Sequence, residues 1–431
     1  MTRNRDRART AGSAGSAGSA GTVESGESGG ADRTPPFALF LIFLRLGLTS
    51  FGGPVAHIGY FRDEFVGRRK WFDDATYADL VALCQMLPGP ASSQVGMAVG
   101  LNRGGLPGAA AAWCGFTLPS AVLMILFAYG VTAIGDAHAT GWLFGLKAMA
   151  VAVVAMAVWQ MASTLCRTTT TLSLALAATI VILLWPAQAG GPAVGQLVAI
   201  VGGGLTGRLL LSADSGAHST PVRVSVGRGL AIAALLLFVA ALVGLPLLAW
   251  ASGDDLIAKV AGFYRAGALI FGGGHVVLPL LQAAVVPPGW IAQDQFLAGY
   301  GAAQALPGPL LAFSAYLGTA MAAGPGGIIG GLIALLAIFA PSFLLVVGMM
   351  PAWSRLRTNP GVRAALAGVN AAVVGLLLAA LYDPVFTATV HGPQELAFVL
   401  AAFALVAVWK LPPWLVAPLA AIAGWLVFDG M

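Results

Sequence analysis

A nine-residue pattern, Arg-x-Gly-x-x-x-Phe-Gly-Gly, occurs twice in this chain, as Arg45 to Gly53 and as Arg265 to Gly273, and no other feature constrains the fold as much. Each copy is followed by a tryptophan, Trp71 or Trp290, and seventeen residues later by the first proline of Gln-x-Leu-Pro-Gly-Pro. That second block reads Gln85, Leu87, Pro88, Gly89, Pro90 in the first copy and Gln304, Leu306, Pro307, Gly308, Pro309 in the second. The chain is therefore two halves built on one plan. In both, an arginine and helix-breaking residues interrupt apolar sequence, a pattern that marks a small-anion site inside a membrane.

Hydrophobic residues fill 58% of the 431 positions and charged ones only 9%, too little polar surface for a soluble protein of this length. Mean hydropathy is +0.86, and runs able to cross roughly 30 Å of hydrocarbon recur along nearly the whole chain. The expected fold class is an all-α polytopic membrane protein of the cytoplasmic membrane, its partner the lipid bilayer. A single anchor or cleaved signal does not fit. The net charge of +5 is spread over loops, which argues against nucleic acid. Cys84, Cys114 and Cys166 lie scattered in apolar runs, with neither disulfide nor metal spacing, so no metal or cofactor is expected. Residues 1–36, with Arg3, Arg5, Arg7 and Arg9 ahead of Ala-Gly-Ser repeats, have little to bury and read as a disordered cytoplasmic tail.

Apolar runs between Pro/Gly or polar punctuation number about thirteen, arranged six plus one plus six. They divide the rest of the chain into a first transporter repeat, 37–211, a linker with one connecting helix, 212–255, and a second repeat, 256–431. An odd number of crossings between the two starting points makes the repeats inverted in the membrane. Positive charge supports a cytoplasmic N-terminus, because Arg103, Arg167, Arg208, Arg223, Arg228, Arg355, Arg357, Arg363 and Lys410 then fall inside, and Asp136, Asp254 and Asp255 outside. The loop with Arg62, Arg68, Arg69 and Lys70 is the exception. Either Phe37 to Tyr60 is a re-entrant hairpin, which taken alone undoes the parity, or Asp63, Glu64, Asp73 and Asp74 neutralise an external loop. The second reading is the expectation.

Arg45 and Arg265 sit about eight and nine residues into their apolar runs, and a charge at that depth is costly unless paired or facing a wet cavity. Gly52, Gly53 and Pro54, and Gly272, Gly273 and Gly274, are expected to break their helices, exposing half-helix N-termini whose free N–H groups suit an oxyanion. The Pro88-Gly89-Pro90 and Pro307-Gly308-Pro309 turns are a second pair of breaks, and Ser92 and Ser93 add hydroxyls at the helix start that follows. The bland alternative is that these glycines only allow close helix packing. Gln85 and Gln304 are placed to donate to substrate or to cap a freed carbonyl. His57 and His275 are the candidates for a coupled proton, against the commoner role of a hydrogen-bonded structural histidine.

The run FGGPVAHIG from Phe51, with Trp71 and QMLPGPASSQVG from Gln85, resembles the signature of the chromate ion transporter family; FGGGHVVLPLL from Phe271 and QALPGP from Gln304 resemble that family's C-terminal domain. The resemblance covers essentially everything after residue 36, including Leu118-Pro119-Ser120 and Ala340-Pro341-Ser342, but not the Ala-Gly-Ser tail. It implies a long-chain, two-domain secondary transporter that exports chromate without ATP hydrolysis and confers resistance. Consistent with this, no GxxxxGK[ST] phosphate loop is present. The competing substrate reading is another tetrahedral oxyanion, such as sulfate or molybdate, moved inward. An intramembrane enzyme is disfavoured, since HExxH does not occur and no GxSxG lies in an apolar run. A packing or receptor subunit would leave the second-copy arginine and glycines dispensable. A homo-oligomer is compatible with the sequence, which does not define an oligomeric state.

Overall fold

Fourteen residues of helix rise about 21 Å, too short for a span, and the first apolar run is cut to that length. In a computed structural model describing residues 33–134, 140–186, 188–211, 226–321, 325–356 and 358–429, it forms α1 (Pro36–Thr49) and α2 (Gly53–Arg62), which double back on each other. Phe43 of α1 lies 5.7 Å from the Phe61 ring and 5.3 Å from the Phe65 ring, so the chain returns along the path it entered. The expected disordered tail falls almost wholly outside the described residues, as do Asp136 and Arg223.

A second hairpin follows. Asp73 caps α3 (Asp74–Met86) by accepting from the Thr76 N–H at 2.7 Å. After the Leu-Pro-Gly-Pro turn, α4 (Ala91–Ile134) starts downward and reverses at Gly105, whose φ of 66° folds its first arm against its second. A side chain on Gly100 would strike the Gly108 carbonyl, and the Thr34 N–H donates to the Arg103 carbonyl at 2.9 Å. The bases of both hairpins and the start of the long arm of α4 therefore share the face on which Thr34 lies. The long arm of α4 then crosses, followed by α5 (Thr140–Leu165), α6 (Thr169–Leu183), α7 (Gly191–Leu210) and α8 (Arg228–Ser252).

The second half repeats the plan. Asp254 caps α9 (Asp255–Ala268) through the Leu256 and Ile257 N–H groups at 2.8 and 3.0 Å. α10 (Val277–Val285) folds back on α9, bringing Ala284 beside Gly262. α11 (Gln293–Ala303) and α12 (Phe313–Ala320) pair through Phe296–Phe313 and Tyr300–Phe313, 5.2 and 5.8 Å apart. α13 (Gly327–Met349), α14 (Pro360–Ala380), α15 (Pro393–Phe403) and α16 (Pro413–Gly424) complete it. Six helical stretches among the described residues are long and apolar enough to cross a membrane, and the other apolar helices are shorter. The protein is an all-α, multi-pass integral membrane protein with the expected broken helices.

The halves are inverted. The long arm of α4 and its counterpart α13 cross antiparallel: Trp113 meets Phe339 and Phe343 at 5.5 and 5.6 Å, while further on Ile125 approaches Gly331 and Tyr129 approaches Gly327. The expectation that Phe37 to Tyr60 spans is corrected, because the Gly52-Gly53 break reverses the chain. Parity survives, since the next run, 74–104, is also a hairpin and each repeat loses two crossings rather than one. The charged loop with Arg62, Arg68, Arg69 and Lys70 then joins Arg103, Arg167, Arg208, Arg228, Arg363 and Lys410 on one face, which the positive-inside rule makes cytoplasmic. Asp254, Asp255, Asp294 and Glu395 lie on the other.

From Thr34 onward the elements form one compact unit in which the repeats exchange partners. α14 of the second half packs along α6 and α7 of the first, and α5 of the first along α15 and α16 of the second. The contacts are between small residues: Gly203 and Gly207 against Gly368, and Gly145 against the Ala420 carbonyl. The two repeat tryptophans clamp hairpin bases. Trp71 lies under Arg69 and Arg103 at 5.1 and 4.8 Å, and Trp290 under Lys259 at 5.6 Å.

In a background lacking the native cysteines, a cysteine at Arg68 is expected to react with an impermeant maleimide only from the cytoplasmic face, and one at Asp254 only from outside. Labelling of position 68 from outside would restore the spanning reading.

Candidate functional site

All four hairpin tips converge. The Gly308 N–H, in the second Leu-Pro-Gly-Pro turn, donates to the Ser50 carbonyl at the first Phe-Gly-Gly break, 2.9 Å away. Reciprocally, the Gly89 N–H donates to the Ile270 carbonyl at the second break, at 2.7 Å. Each repeat's second hairpin is thus bonded to the first hairpin of the other. A methyl on Gly274 would lie 3.3 Å from Pro54 Cγ, so the two Phe-Gly-Gly breaks also face each other.

Glycine is required at these turns for two reasons. Gly89 and Gly308 have φ of 129° and 92°, left-handed conformations that a side chain resists. A Cβ would also meet the opposite repeat: Ser342 Oγ at 2.6 Å from Gly89, Ser120 Oγ at 2.9 Å from Gly308. Those serines follow Pro119 and Pro341, which sit inside α4 and α13 and leave carbonyls one turn back without their helical N–H. α1 and α9 come close enough at Gly47 and Gly267 to lie directly on the Phe116 and Ile338 carbonyls.

The arms that leave the tips begin there: α2 at Gly53, α4 at Ala91, the turn Gly274–Val276 ahead of α10, and Leu310–Ala312 ahead of α12. Each presents the N–H groups of a helix start, and the partial positive charge that accompanies them, to the centre of the molecule. Around the tips lie buried polar atoms without a hydrogen-bond partner among the described residues: Ser50 Oγ, Ser93 Oγ, Gln94 Oε1, Thr117 Oγ1 and Ser342 Oγ. An unmet buried polar group costs about 1–3 kcal/mol, so a cluster of them at one place indicates a wet or ligand-filled centre. Gln94 Nε2 donates to the Pro88 carbonyl at 2.7 Å and braces the turn.

The other expected residues are placed as follows. Pro88, Pro90, Pro307 and Pro309 frame the two turns, with Pro90, Pro307 and Pro309 buried. Gly52 and Gly272 are exposed, and Gly53 and Gly273 have open space where a Cβ would go. His57 is buried, its Nδ1 3.4 Å from Ser92 Oγ and its ring edge-on to Phe116. His275 Nδ1 lies 3.1 Å from the Tyr300 hydroxyl. Arg265 is half-buried near the end of α9, whereas Arg45 is on the exposed flank of α1 beside Leu41, Leu48 and Thr49; neither has an ion-pair partner among the described residues. Gln85 is exposed and Gln304 half-buried. Sequence reasoning missed Gln94, Ser50, Thr117 and Ser342 as site residues; the only signal was the pair of Pro-Ser steps inside apolar runs. On the cytoplasmic side of the tips, Leu87, Pro88 and Phe271 close a cavity of about 210 Å³ shared with Leu345, Met349 and Trp353, whose lining is too apolar for an anion.

Paired broken helices meeting at the centre of an inverted repeat are an arrangement that recurs in membrane transporters. The chain belongs to the chromate transporter family, whose pattern it matches twice, over residues 37–208 and 257–425. A probable chromate transport protein of Synechococcus elongatus is 29% identical over 89% of this chain and 93% of its own length. A chromate transport protein of Pseudomonas aeruginosa is 28% identical over 91% and 94%, and an uncharacterized transporter of Methanocaldococcus jannaschii 28% over 80% and 84%. No solved structure matches.

Gly89→Ala and Gly308→Ala are each expected to destabilise the protein by about 1–3 kcal/mol, from left-handed strain plus the contact with the opposite serine. Thermal unfolding in detergent checks this, and a wild-type midpoint for both variants would mean that the tips do not dock as described.

Proposed function

We propose that this protein exports chromate across the cytoplasmic membrane and thereby confers chromate resistance. The supporting observation is the docking of the two repeats' tips, which gathers helix N-termini and buried hydroxyls at one central point. A tetrahedral dianion suits such a place, because N–H and O–H donors and partial positive charge meet its oxygens without a bulky cation needing desolvation. Arg265 adds charge beside the second break. Arg45 lies about one helical turn from the first tip, where facing hydrocarbon is unfavourable, so its exposed flank with Thr49 and Gly52 faces the aqueous approach to the site.

The driving force is the membrane potential. Moving one charge through 100 mV is worth about 2.3 kcal/mol, so a dianion leaving a negative interior gains roughly twice that. No chemical step is needed, and the protein acts as a transporter rather than an enzyme. His57 and His275, both hydrogen-bonded to hydroxyls near the tips, offer a route for proton coupling. A sulfate or molybdate transporter is the second reading, because the same donors serve any tetrahedral dianion and differ between them only in fit.

Cells producing the protein are expected to hold several-fold less chromate than matched cells without it, and everted vesicles to take chromate up when the lumen is made positive. Arg265→Gln should remove most of that uptake at unchanged expression, and Arg265→Lys should restore only part, since lysine keeps the charge but not the planar fork. Equal chromate content with and without the protein rejects export; wild-type uptake by Arg265→Gln removes the second break from the site.

A further inference from the structure

Two pairs of helices occupy equivalent places in the halves and are packed differently. α3 and α11 lead into the Leu-Pro-Gly-Pro turns, and α5 and α14 follow the crossing arms α4 and α13. On the outer side α11 lies along α5. A side chain on Gly301 would strike the Leu146 carbonyl, and Leu146, Met149 and Val153 of α5 form one buried cluster with Ala298 and Ala302 of α11. On the cytoplasmic side α3 has no comparable packing along α14 among the described residues. The cavity of about 210 Å³ lies between them instead, with Leu83 and Met86 on one wall and Val362 and Leu366 on the other.

The surface of α3 differs from that of α11 in the same sense. Ala75, Ala78, Ala82 and Gln85 form one exposed stripe of α3. Aligning the two Gln-x-Leu-Pro-Gly-Pro blocks sets Leu297 against Ala78 and Gly301 against Ala82, and both of these counterparts are buried. The stripe on α3 is made of residues small enough to receive a helix closely, yet α14 stands off from it. The outer contact also carries a charge pair between the repeats: Lys147 Nζ of α5 donates to Asp294 Oδ1 of α11 at 2.7 Å, with the lysine side chain only 12% exposed. Ala75 stands where Asp294 does, and the neighbouring Asp74 is held by Arg62 of its own repeat at 2.7 Å.

We infer that this is the cytoplasm-facing state of a two-state cycle, and that the Lys147–Asp294 pair is the latch of its outer gate. In the opposite state α3 closes on α14 and fills the cavity, while α11 parts from α5 and the latch opens. Inverted halves suit this exchange, because each can take up the packing that the other shows now. The latch stabilises one state only, so it keeps the resting protein turned toward the side from which an exporter takes its ion. This rests on the transport reading above and adds the residues that set which side the site faces. Lys147 and Asp294 are positioning residues, acting on the balance between the two states rather than on the ion.

The test reads closure of the cavity. In full-length protein without the native cysteines, Met86→Cys and Val362→Cys are combined, and a protease site is inserted between residues 211 and 226. Disulfide formation in membranes treated with copper phenanthroline then keeps the two halves joined after cleavage. Asp294→Asn and Lys147→Gln are each expected to raise the initial rate of cross-linking about two- to fivefold, the population change that follows loss of a partly exposed ion pair. The exchanged pair, Lys147→Asp with Asp294→Lys, should return the rate toward that of the parent, which a role in packing alone would not do. The two single variants are made independently, so a folding failure in one leaves the other to decide. An unchanged rate in the single variants, or no recovery in the exchanged pair at equal expression, overturns the latch. Cross-linking is read without substrate, so a parent protein that fails to lower cellular chromate would defeat the export reading while the rates still decide this inference.

Discussion

Two backbone hydrogen bonds hold this protein's centre together, Gly308 N–H to the Ser50 carbonyl and Gly89 N–H to the Ile270 carbonyl. In a hydrocarbon interior an unmet carbonyl has no water to turn to, so a break in a membrane helix persists only where another segment supplies the donor. Here each repeat supplies it to the other. The glycines are what make the arrangement possible, since only a residue without Cβ takes their left-handed conformation with a serine of the facing helix at contact distance. Neither half can satisfy its own breaks, and this binds the halves more specifically than apolar packing among similar helices does.

The same constraint sets the topology. Once Gly52 and Gly53 turn the chain back, the charged loop at Arg62 to Lys70 returns to the face it left. The second hairpin then returns its own base to that face as well. Removing two crossings from each repeat leaves an odd number between the two starting points, so the second half begins on the opposite side and is inverted. The antiparallel meeting of α4 and α13 follows, with Pro119 and Pro341 near the crossing and the kink serines against the tips. Exchange of the later helices, α14 onto α6 and α7 and α5 onto α15 and α16, extends this mutual dependence to the periphery.

The duplication, the polytopic class and the positions of the breaks were legible in the sequence because each leaves a strong local mark: repeated glycines and prolines in apolar runs. Whether the first run spans was not legible from composition. A largely apolar run such as Phe37 to Tyr60, with a Gly-Gly pair inside it, has the hydropathy of a crossing helix and of a hairpin alike, and only Phe43 packing on Phe61 and Phe65 distinguishes them. The charge of the following loop was the better guide, and the negative residues beside it obscured that signal. Gln94 and Ser342 were missed as site residues for another reason. Single polar residues in apolar helices are common, and what sets these apart, burial against a turn of the opposite half, is a property of the assembled fold. Arg45 shows the converse, an arginine prominent in the sequence whose side chain lies on an exposed flank.

The central claim, that an oxyanion is held where the tips of the two repeats meet, is tested most directly by locating the ion. Crystals of the full-length protein grown with chromate should give an anomalous difference peak within hydrogen-bonding distance of a Pro-Gly-Pro turn at the docked tips. A peak elsewhere, for instance among the peripheral helices α5 and α16, would contradict the account.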